Sequence, residues 1–277
     1  MLESTPLLGG REGLMNIYNE IEQLRKSGID AALCTIIHTK GSTPRKVGAK
    51  MLVLIDGSIK GTIGGGNLEK EVIKNALIQL KKNEPKLFKH DLLHQHNMCC
   101  GGTVEIFIEP LEKMKRLYIF GAGHTGQALA KYALAMDFEI FVIDDRKEYI
   151  DQLKEMPAIN KLNVDYKKAL PTLPFDENTF VVILTYEHEI DRDILSYCIK
   201  KPYAYLGMIG SQRKIEMTKK MFLDAGIATK EQLEKVRMPI GANILAETPE
   251  EIAISILAEL IEVKNKPLQT SPKGRLT

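Results

Sequence analysis

The sequence predicts an α/β protein in which an N-terminal α+β domain precedes a Rossmann-like domain with a doubly wound parallel sheet. Two observations lead to this prediction. Before residue 110, apolar runs are joined by short turns rich in Gly and Asp, which is typical of hairpins. After residue 115, strand-like and helix-like runs alternate, which is typical of a parallel sheet. The predicted boundaries are 11–110 for the first domain, 115–264 for the second and 265–277 for a polar tail.

The first domain is predicted to contain two helices and several strands. Apolar residues recur at helical spacing over residues 14–24 and again over residues 68–80, so each stretch predicts an amphipathic helix. Between the helices, an apolar run leads through a turn to two strand-like segments joined by an Asp-Gly turn at 56–57. After the second helix, residues 85–93 and 103–110 are strand-like.

The second domain is predicted to begin with a β-branched and aromatic strand that enters the glycine-rich turn 121–126. In this context Gly121 permits the tight turn, Gly123 lets a phosphate approach the backbone, and Gly126 lets the following helix pack closely on the strand. The next strand ends at Asp144, the position from which an acidic side chain holds ribose hydroxyls. The pattern predicts a Rossmann fold and makes NAD(P) a candidate cofactor, with an empty or repurposed crevice as the alternative.

Composition excludes several classes of function. Lys and Arg number 38 against 36 Asp and Glu, so the net charge of +2 gives no strong basic field, and a nucleic acid partner is not expected. No apolar run approaches the roughly 18 residues of a membrane span, and the N-terminus lacks a secretory pattern. We therefore expect a cytoplasmic protein with no membrane partner.

The four cysteines fall into two groups. In a reducing compartment they do not predict a disulfide framework, and Cys34 and Cys198 lie in apolar runs that are typical of a core. Cys99 and Cys100 instead stand side by side, directly before two glycines. This pair needs a separate explanation.

Two glycine-rich segments of the first domain are candidate anion-binding turns. One combines a bend with three cations, Arg45, Lys46 and Lys50, and the other leads three glycines into a helix N-terminus, where free N–H groups favour an anion. The alternative for each is a tight turn with solvated lysines. The candidate residues are Ser42, Arg45, Lys46, Gly64, Gly65 and Gly66.

The chain resembles the XdhC/CoxI family of xanthine dehydrogenase accessory proteins. The resemblance runs from about Glu12 to Glu262 and departs from the usual pattern at Asn67, Gln212, Ala242 and Leu245. It is carried by motifs that occur in the family's order: GSTPRKVGAKMLV, GTIGGGNLE, CCGGTVEIFIEP, FGAGHTGQALA, VIDDR, TYEHEIDRDIL, YLGMIGSQRK and ETPEEIAISILAELI.

The resemblance implies a protein that binds molybdenum cofactor, the molybdopterin complex of the metal, and protects it. It also implies that a cysteine desulfurase is a partner in sulfuration of the cofactor, and that an apo molybdenum hydroxylase of the xanthine dehydrogenase type receives it. A homodimer is expected on the same basis, because a second copy of the chain would cover an open cofactor site.

The cysteine pair is the predicted metal-binding and cofactor-binding site. A thiolate is a soft ligand that suits molybdenum and can carry sulfur as a persulfide, and Gly101 and Gly102 would leave room for a bulky pterin. Cys99 and Cys100 are therefore the candidate ligands. Two alternatives are a zinc or iron site that adds the two preceding histidines, and simple packing at the start of a strand.

Two histidines are further candidates for cofactor contact. His124 lies inside the glycine turn, and His188 follows a predicted strand, where open α/β sheets bind ligands. His188 and Asp191 are also the acid–base pair that an alternative function, an NAD(P)-dependent oxidoreductase, would use in the Rossmann crevice. Because no stronger acid–base set is visible, the sequence favours the accessory protein.

Overall fold

The structure is a computed structural model, which describes residues 11–93 and 101–265. The chain divides into two compact units, one up to Lys113 and one from Met114. The first contains an antiparallel sheet with two helices, and the second contains a parallel sheet covered by helices on both faces. The predicted fold class is therefore confirmed.

The first unit is built around a five-stranded antiparallel sheet. Its elements are α1 (Arg11–Ser27), β1 (Ala31–Lys40), β2 (Lys50–Leu54), β3 (Ile59–Gly61), α2 (Gly66–Lys82), β4 (Lys86–Asp91) and β5 (Thr103–Pro110). The strand order is β3-β2-β1-β5-β4, so β1 is central and β3 and β4 are edges. The predicted Asp-Gly turn joins β2 to β3, with Gly57 at φ 83°.

The central strand β1 is buried on both faces. Ala32, Cys34 and Ile36 belong to a core cluster with α2, whereas Ala31 and Leu33 belong to a cluster with α1. Because both faces are covered here, the first four residues of β1 are all apolar and show no polar alternation.

The second unit is built around a five-stranded parallel sheet. Its elements are β6 (Lys115–Phe120), α3 (His124–Ala133), β7 (Phe138–Asp144), α4 (Lys147–Asp151), β8 (Asn160–Asn163), α5 (Tyr166–Ala169), β9 (Thr179–Ile183), α6 (His188–Cys198), β10 (Tyr205–Met208), α7 (Gln212–Asp224), α8 (Lys230–Lys235) and α9 (Pro249–Asn265). The strand order is β10-β9-β6-β7-β8. Strands β7 and β8, which follow β6 in the chain, lie on one side of β6, and the later strands β9 and β10 lie on the other side. The direction in which strands are added to the sheet therefore reverses between β6 and β9. Open α/β sheets bind ligands at the carboxyl ends of the strands beside such a reversal.

Helices α3 and α9 pack on one face of this sheet, and α5 to α8 pack on the other. A capping box begins α9, since the amide of Thr248 donates to Glu251 Oε2 at 3.0 Å and the amide of Glu251 donates to Thr248 Oγ1 at 3.2 Å. Within the described ranges, none of the helices has both the length and the apolar character that crossing a membrane requires.

Candidate ligand-binding sites

Three glycine-rich segments of the first unit lie against one another. This loop cluster comprises residues 41–48, 61–66 and 101–102. A methyl group on Gly102 would lie 2.3 Å from the carbonyl oxygen of Ser42, and one on Gly64 would lie 2.5 Å from Cγ of Pro44. Only glycine permits contacts this close, so the segment from Ser42 to Pro44 packs directly on both glycines. The structure thus brings together candidate residues that are far apart in the sequence.

The glycine turn at the start of α2 is bonded to a carboxylate of its own helix. Glu69 Oε1 accepts hydrogen bonds from the amides of Ile63, at 3.0 Å, and Gly65, at 2.9 Å, as well as from the Thr62 hydroxyl. Burial alone would raise the pKa of this carboxyl, but these hydrogen bonds outweigh it and hold the pKa below its ordinary value. The Gly65 amide is therefore engaged by Glu69, whereas Gly66 is exposed.

Two cations project from the first segment of the loop cluster. Arg45 is half-buried and Lys46 is exposed, and within the described residues neither has a carboxylate partner. The backbone between them and Ser42 is braced by the Thr43 hydroxyl, which donates to the Arg45 carbonyl at 3.0 Å. Open space adjoins Gly65, Gly66 and Gly101 among the described residues, since a methyl group on any of them would meet none of their atoms within 4 Å. The loop cluster therefore contains two cations as well as glycines with open space around them.

The predicted metal ligands Cys99 and Cys100 lie outside the described residues. Cys100 directly precedes Gly101, whose backbone pairs with Ser42 in an isolated parallel bridge. The other two cysteines are fully buried, and burial raises the pKa of the Cys34 and Cys198 thiols to about 12. In the described part of the chain, no three His, Cys, Asp or Glu side chains are grouped closely enough to hold a metal ion.

The glycine turn of the second unit has three glycines with different surroundings. Gly121 has φ 115° and a methyl group there would lie 2.2 Å from the carbonyl oxygen of Leu184, while one on Gly126 would lie 2.0 Å from the Gly121 oxygen. These two positions need glycine for packing within the protein. Gly123 caps α3 with φ −65°, and a methyl group there would meet no atom of the described residues within 4 Å. His124, the first residue of α3, is exposed.

Asp144 is buried and its carboxylate is bonded to neighbouring groups of the chain. It accepts from the Ala122 amide at 2.7 Å, from the Arg146 amide at 2.9 Å, and from Nε and Nη2 of Arg146 at 3.0 and 2.8 Å. Burial would raise the pKa of Asp144, but these donors outweigh burial and lower it. Asp144 therefore supports the glycine turn and orients Arg146, a role that its position in the Rossmann pattern does not indicate.

Arg146 lies between two tyrosine rings. Its guanidinium carbon is 4.0 Å from the centroid of the Tyr149 ring and 4.3 Å from that of Tyr186. The Tyr186 hydroxyl donates to Asp145 Oδ2 at 3.1 Å. Sequence reasoning missed Asp145, Arg146 and Tyr186, although the motifs VIDDR and TYEHEIDRDIL, which contain them, were recognised.

His188 begins α6 beside a buried carboxylate. Its Nδ1 lies 3.3 Å from Asp191 Oδ2, and Asp191 Oδ1 accepts from the amide and the hydroxyl of Thr185 at 3.0 and 2.7 Å. When Nδ1 donates to this carboxylate, Nε2 is an acceptor. Nε2 is buried and has no hydrogen-bond partner in the described part of the protein. The predicted His188–Asp191 pair thus exists as a contact.

Two family models match the chain. The one described as the XdhC Rossmann domain matches residues 117–260, more than half of the chain. The one described as the XdhC and CoxI family matches residues 24–91. Together they account for both units and confirm the resemblance found in the motifs.

Three relatives are informative. The chain is 37% identical over 257 residues to uncharacterized protein YqeB of Escherichia coli (strain K12), a match that covers 91% of this chain and 47% of YqeB. It is 28% identical over 164 residues to a probable xanthine dehydrogenase subunit of Bacillus subtilis (strain 168), covering 59% and 47%. It is 22% identical to the molybdenum cofactor insertion chaperone PaoD of Escherichia coli (strain K12), covering 86% and 85%. The chain therefore spans about half the length of the first two relatives.

One solved structure is similar over nearly the whole chain. It is a xanthine dehydrogenase from Bacillus halodurans with a TM-score of 0.51 and 23% identity, and the match covers 92% of this chain and 97% of that chain. At this identity the likeness concerns the fold alone.

Proposed function

The chain belongs to the XdhC and CoxI family, and from this premise we propose that it is a molybdenum cofactor chaperone. Its role is to bind the cofactor, protect it, support its sulfuration and insert it into a molybdenum hydroxylase of the xanthine dehydrogenase type. Two relatives support this proposal by their names, one as an insertion chaperone for the cofactor and the other as part of a probable xanthine dehydrogenase.

The observation that carries the proposal is the packing of the loop cluster. Gly102 and Gly64 both contact the segment from Ser42 to Pro44, and Ser42 pairs with Gly101, which follows Cys100. Arg45 and Lys46 come directly after this segment. A phosphorylated pterin needs cations for its phosphate and space for its ring system. Both are present in the loop cluster, so the residues fit the cofactor.

Each group has a distinct proposed role. The Cys99 or Cys100 thiolate is the ligand that suits molybdenum and the carrier of sulfur. Arg45 and Lys46 bind the phosphate, since charge-assisted hydrogen bonds to phosphate are about twice as strong as neutral ones. Ser42 offers a hydroxyl from the same loop. When bound, the cofactor supplies the redox-active metal that the client enzyme uses.

The proposed partners follow from this role. A cysteine desulfurase supplies sulfur, an apo molybdenum hydroxylase accepts the finished cofactor, and a second copy of the chain covers the site in a homodimer. All of these steps take place in the cytoplasm. The dimer is tested directly by light scattering at micromolar concentration, where a monomeric mass would contradict it.

The function is tested by loading the full chain with molybdenum cofactor and measuring retained molybdenum and pterin after gel filtration. The double variant Cys99→Ala, Cys100→Ala should lose retention and client activation at every cofactor concentration. Arg45→Ala should weaken binding by about 1.5–3 kcal/mol and recover when more cofactor is added. Lys81→Ala, at the far end of α2, is the control and should bind like the parent. Full activity of the double cysteine variant would show that the pair is structural.

The alternative function, an NAD(P)-dependent oxidoreductase, predicts a different absorption spectrum and metal content for the purified protein. Protein purified from a molybdenum-replete host would then carry an NADH-like absorption band and no molybdenum. The chaperone predicts molybdenum together with a pterin chromophore.

A further inference from the structure

The glycine turn of the second unit contains one glycine that the protein itself does not require. Gly121 and Gly126 make backbone contacts that exclude a side chain, but Gly123 has an ordinary φ of −65° and empty space where its side chain would be. It stands at the N-terminus of α3, a helix of ten residues, and the first amides of a helix have no acceptor within the helix. Neither packing nor backbone conformation requires glycine at this position, and a glycine here would let a phosphate approach the backbone.

The route that a dinucleotide would take from this point is crossed by a side chain. Tyr186 follows β9 and Asp145 follows β7, and β6 lies between these two strands in the sheet. The hydrogen bond of 3.1 Å from the Tyr186 hydroxyl to Asp145 therefore spans the carboxyl end of β6, where the glycine turn begins. Half of the Tyr186 surface is exposed, at 50%, so little packing holds this bridge in place.

The contacts of Tyr186 are those that an adenosine would make. Its ring lies on the guanidinium of Arg146, as a purine ring does on an arginine, and its hydroxyl donates to Asp145, as a ribose hydroxyl does to a carboxylate. Asp144, the usual ribose acceptor, is buried and already accepts four hydrogen bonds. Asp145 is exposed, so it is the carboxylate within reach of a ligand.

A buried hydroxyl in the same place also lacks a partner. Tyr166 is 3% exposed, and its hydroxyl has no hydrogen-bond partner in the described residues. Its ring centroid lies 6.2 Å from that of Phe120, which directly precedes the glycine turn. Burial, followed by the charges of Asp144 and Asp145, raises the pKa of Tyr166. Buried polar groups are rarely left without a partner, and a bound ligand or its water would supply one.

We propose that the second unit binds the adenosine diphosphate half of a dinucleotide, with Gly123 facing the pyrophosphate and Asp145 and Arg146 holding the adenosine, and that Tyr186 occupies the adenosine position until the nucleotide displaces it. All residues of this site belong to the second unit, so its test does not depend on the proposed molybdenum cofactor function. The two adjacent carboxylates disfavour a 2′-phosphate, and NADH is therefore the probe.

The need to displace Tyr186 lowers the apparent affinity of the parent protein for NADH, since only the fraction of molecules in which Tyr186 has left the site can bind. Removing the bridge should remove this penalty. The chain contains no tryptophan, so the fluorescence of bound NADH can be followed with little intrinsic background.

The test is a titration of the full-length protein with NADH. Tyr186→Ala should bind about tenfold more tightly than the parent, because both the ring stacking and the hydrogen bond of the bridge are gone. Tyr186→Phe keeps the ring and loses only the hydroxyl, so it should gain about threefold. Tyr18→Ala, a tyrosine on α1 with a similar exposure of 56%, is the control and should bind like the parent.

Two further measurements locate the gain. Adding Gly123→Val to Tyr186→Ala should abolish the gain in NADH affinity. The thermal midpoint should stay within a few degrees of that of Tyr186→Ala, since the valine side chain enters open space. ADP should displace NADH from Tyr186→Ala, whereas nicotinamide mononucleotide should not.

Several outcomes would overturn the proposal. These are unchanged or weaker NADH binding by folded Tyr186→Ala, a gain that survives Gly123→Val, and displacement by nicotinamide mononucleotide as effective as that by ADP. If Tyr186→Ala does not fold, Tyr186→Phe decides, and the absence of any gain in that variant counts against the proposal.

Discussion

Adjacent glycines in the loop cluster have different reasons to be glycine. Gly101 has φ 64° and open space around it, so alanine at this position would cost only the free energy of a left-handed backbone. Gly102 has backbone oxygens of Ser42 and Lys40 at 2.3 and 2.7 Å from where a methyl group would be. Backbone oxygens cannot rotate away, so the loop itself must shift.

We therefore expect Gly101→Ala to lower the free energy of unfolding by about 1 kcal/mol and Gly102→Ala to lower it by about 2–3 kcal/mol. Denaturant unfolding of the two variants beside the parent measures both values. Equal costs would mean that loop 41–48 does not pack on Gly102 in solution.

Individual side chains show what a sequence can and cannot predict about the candidate sites. The spacing of the Rossmann pattern located Asp144 correctly at the end of β7. It could not show that Arg146 would occupy this carboxylate, because the contact depends on the turn that follows the strand. Tyr186 is 41 residues from Asp145, and their contact follows only from the order of strands in the sheet.

Helices with a strong hydrophobic periodicity were predictable from the sequence, whereas short polar strands were not. Helices α1 and α2 extend only a few residues beyond the predicted 14–24 and 68–80. Strand β8 reads NKLN and has one apolar residue, so nothing in its pattern indicates a strand. It is defined by backbone pairing with β7, a tertiary effect that hydrophobic periodicity does not contain.

The start of α2 predicts a pH dependence. The folded-state pKa of Glu69 is lowered, so this carboxylate adds stability above its unfolded pKa of about 4.3, and the stability is lost as the pH falls through the folded pKa. Glu69→Gln should lower the free energy of unfolding by about 1 kcal/mol at pH 7, and the difference from the parent should shrink as the pH falls below about 4.3 and through the lowered folded-state pKa. Glu71→Gln, which removes an exposed pair with Lys74, should cost less than about 0.5 kcal/mol at pH 7. A Glu69→Gln effect that persists undiminished in acid would contradict this role of the carboxylate.

The loop before α9 contains a residue in an unfavourable backbone conformation. Three non-glycine residues in the described ranges have positive φ, and two of them, Asn83 and Asp137, are types that tolerate it. The third is Leu245, at φ 57° and 87% exposed, one of the positions that depart from the family pattern.

Leu245→Gly should stabilise the protein by about 0.5 kcal/mol, because relief of the left-handed strain of about 1–2 kcal/mol exceeds the entropic cost of glycine, about 0.5–1 kcal/mol. Ile244→Gly is the neighbouring control, with no positive φ, and should destabilise by about the entropic cost. Thermal unfolding compares the two. Destabilisation by both substitutions would show that Leu245 makes compensating contacts in solution.

Each unit has a core of its own, and this is the feature of the whole molecule that the sequence indicated through the change of pattern near residue 110. In the second unit, the clusters on the two faces of the parallel sheet draw all their buried residues from Leu117 onward. The capping box at Thr248 and Glu251 closes this unit with α9. A unit that completes its own core and its helix ends meets the requirements of an independent domain.

We therefore expect residues 114–277, expressed alone, to fold cooperatively and to show one thermal transition. Unfolding typically absorbs about 0.7 kcal/mol of enthalpy per residue near 60 °C, so calorimetry of this fragment should give a two-state transition of about 115 kcal/mol. Ile119→Ala, which removes a fully buried side chain of β6, should lower the stability of this fragment by about 2–5 kcal/mol. Ile119→Ala also tests whether the fragment has a packed core, since the stability of a collapsed chain without specific packing would not change on this substitution. A fragment with no cooperative transition, or one indifferent to Ile119→Ala, would mean that the parallel sheet depends on residues before Met114.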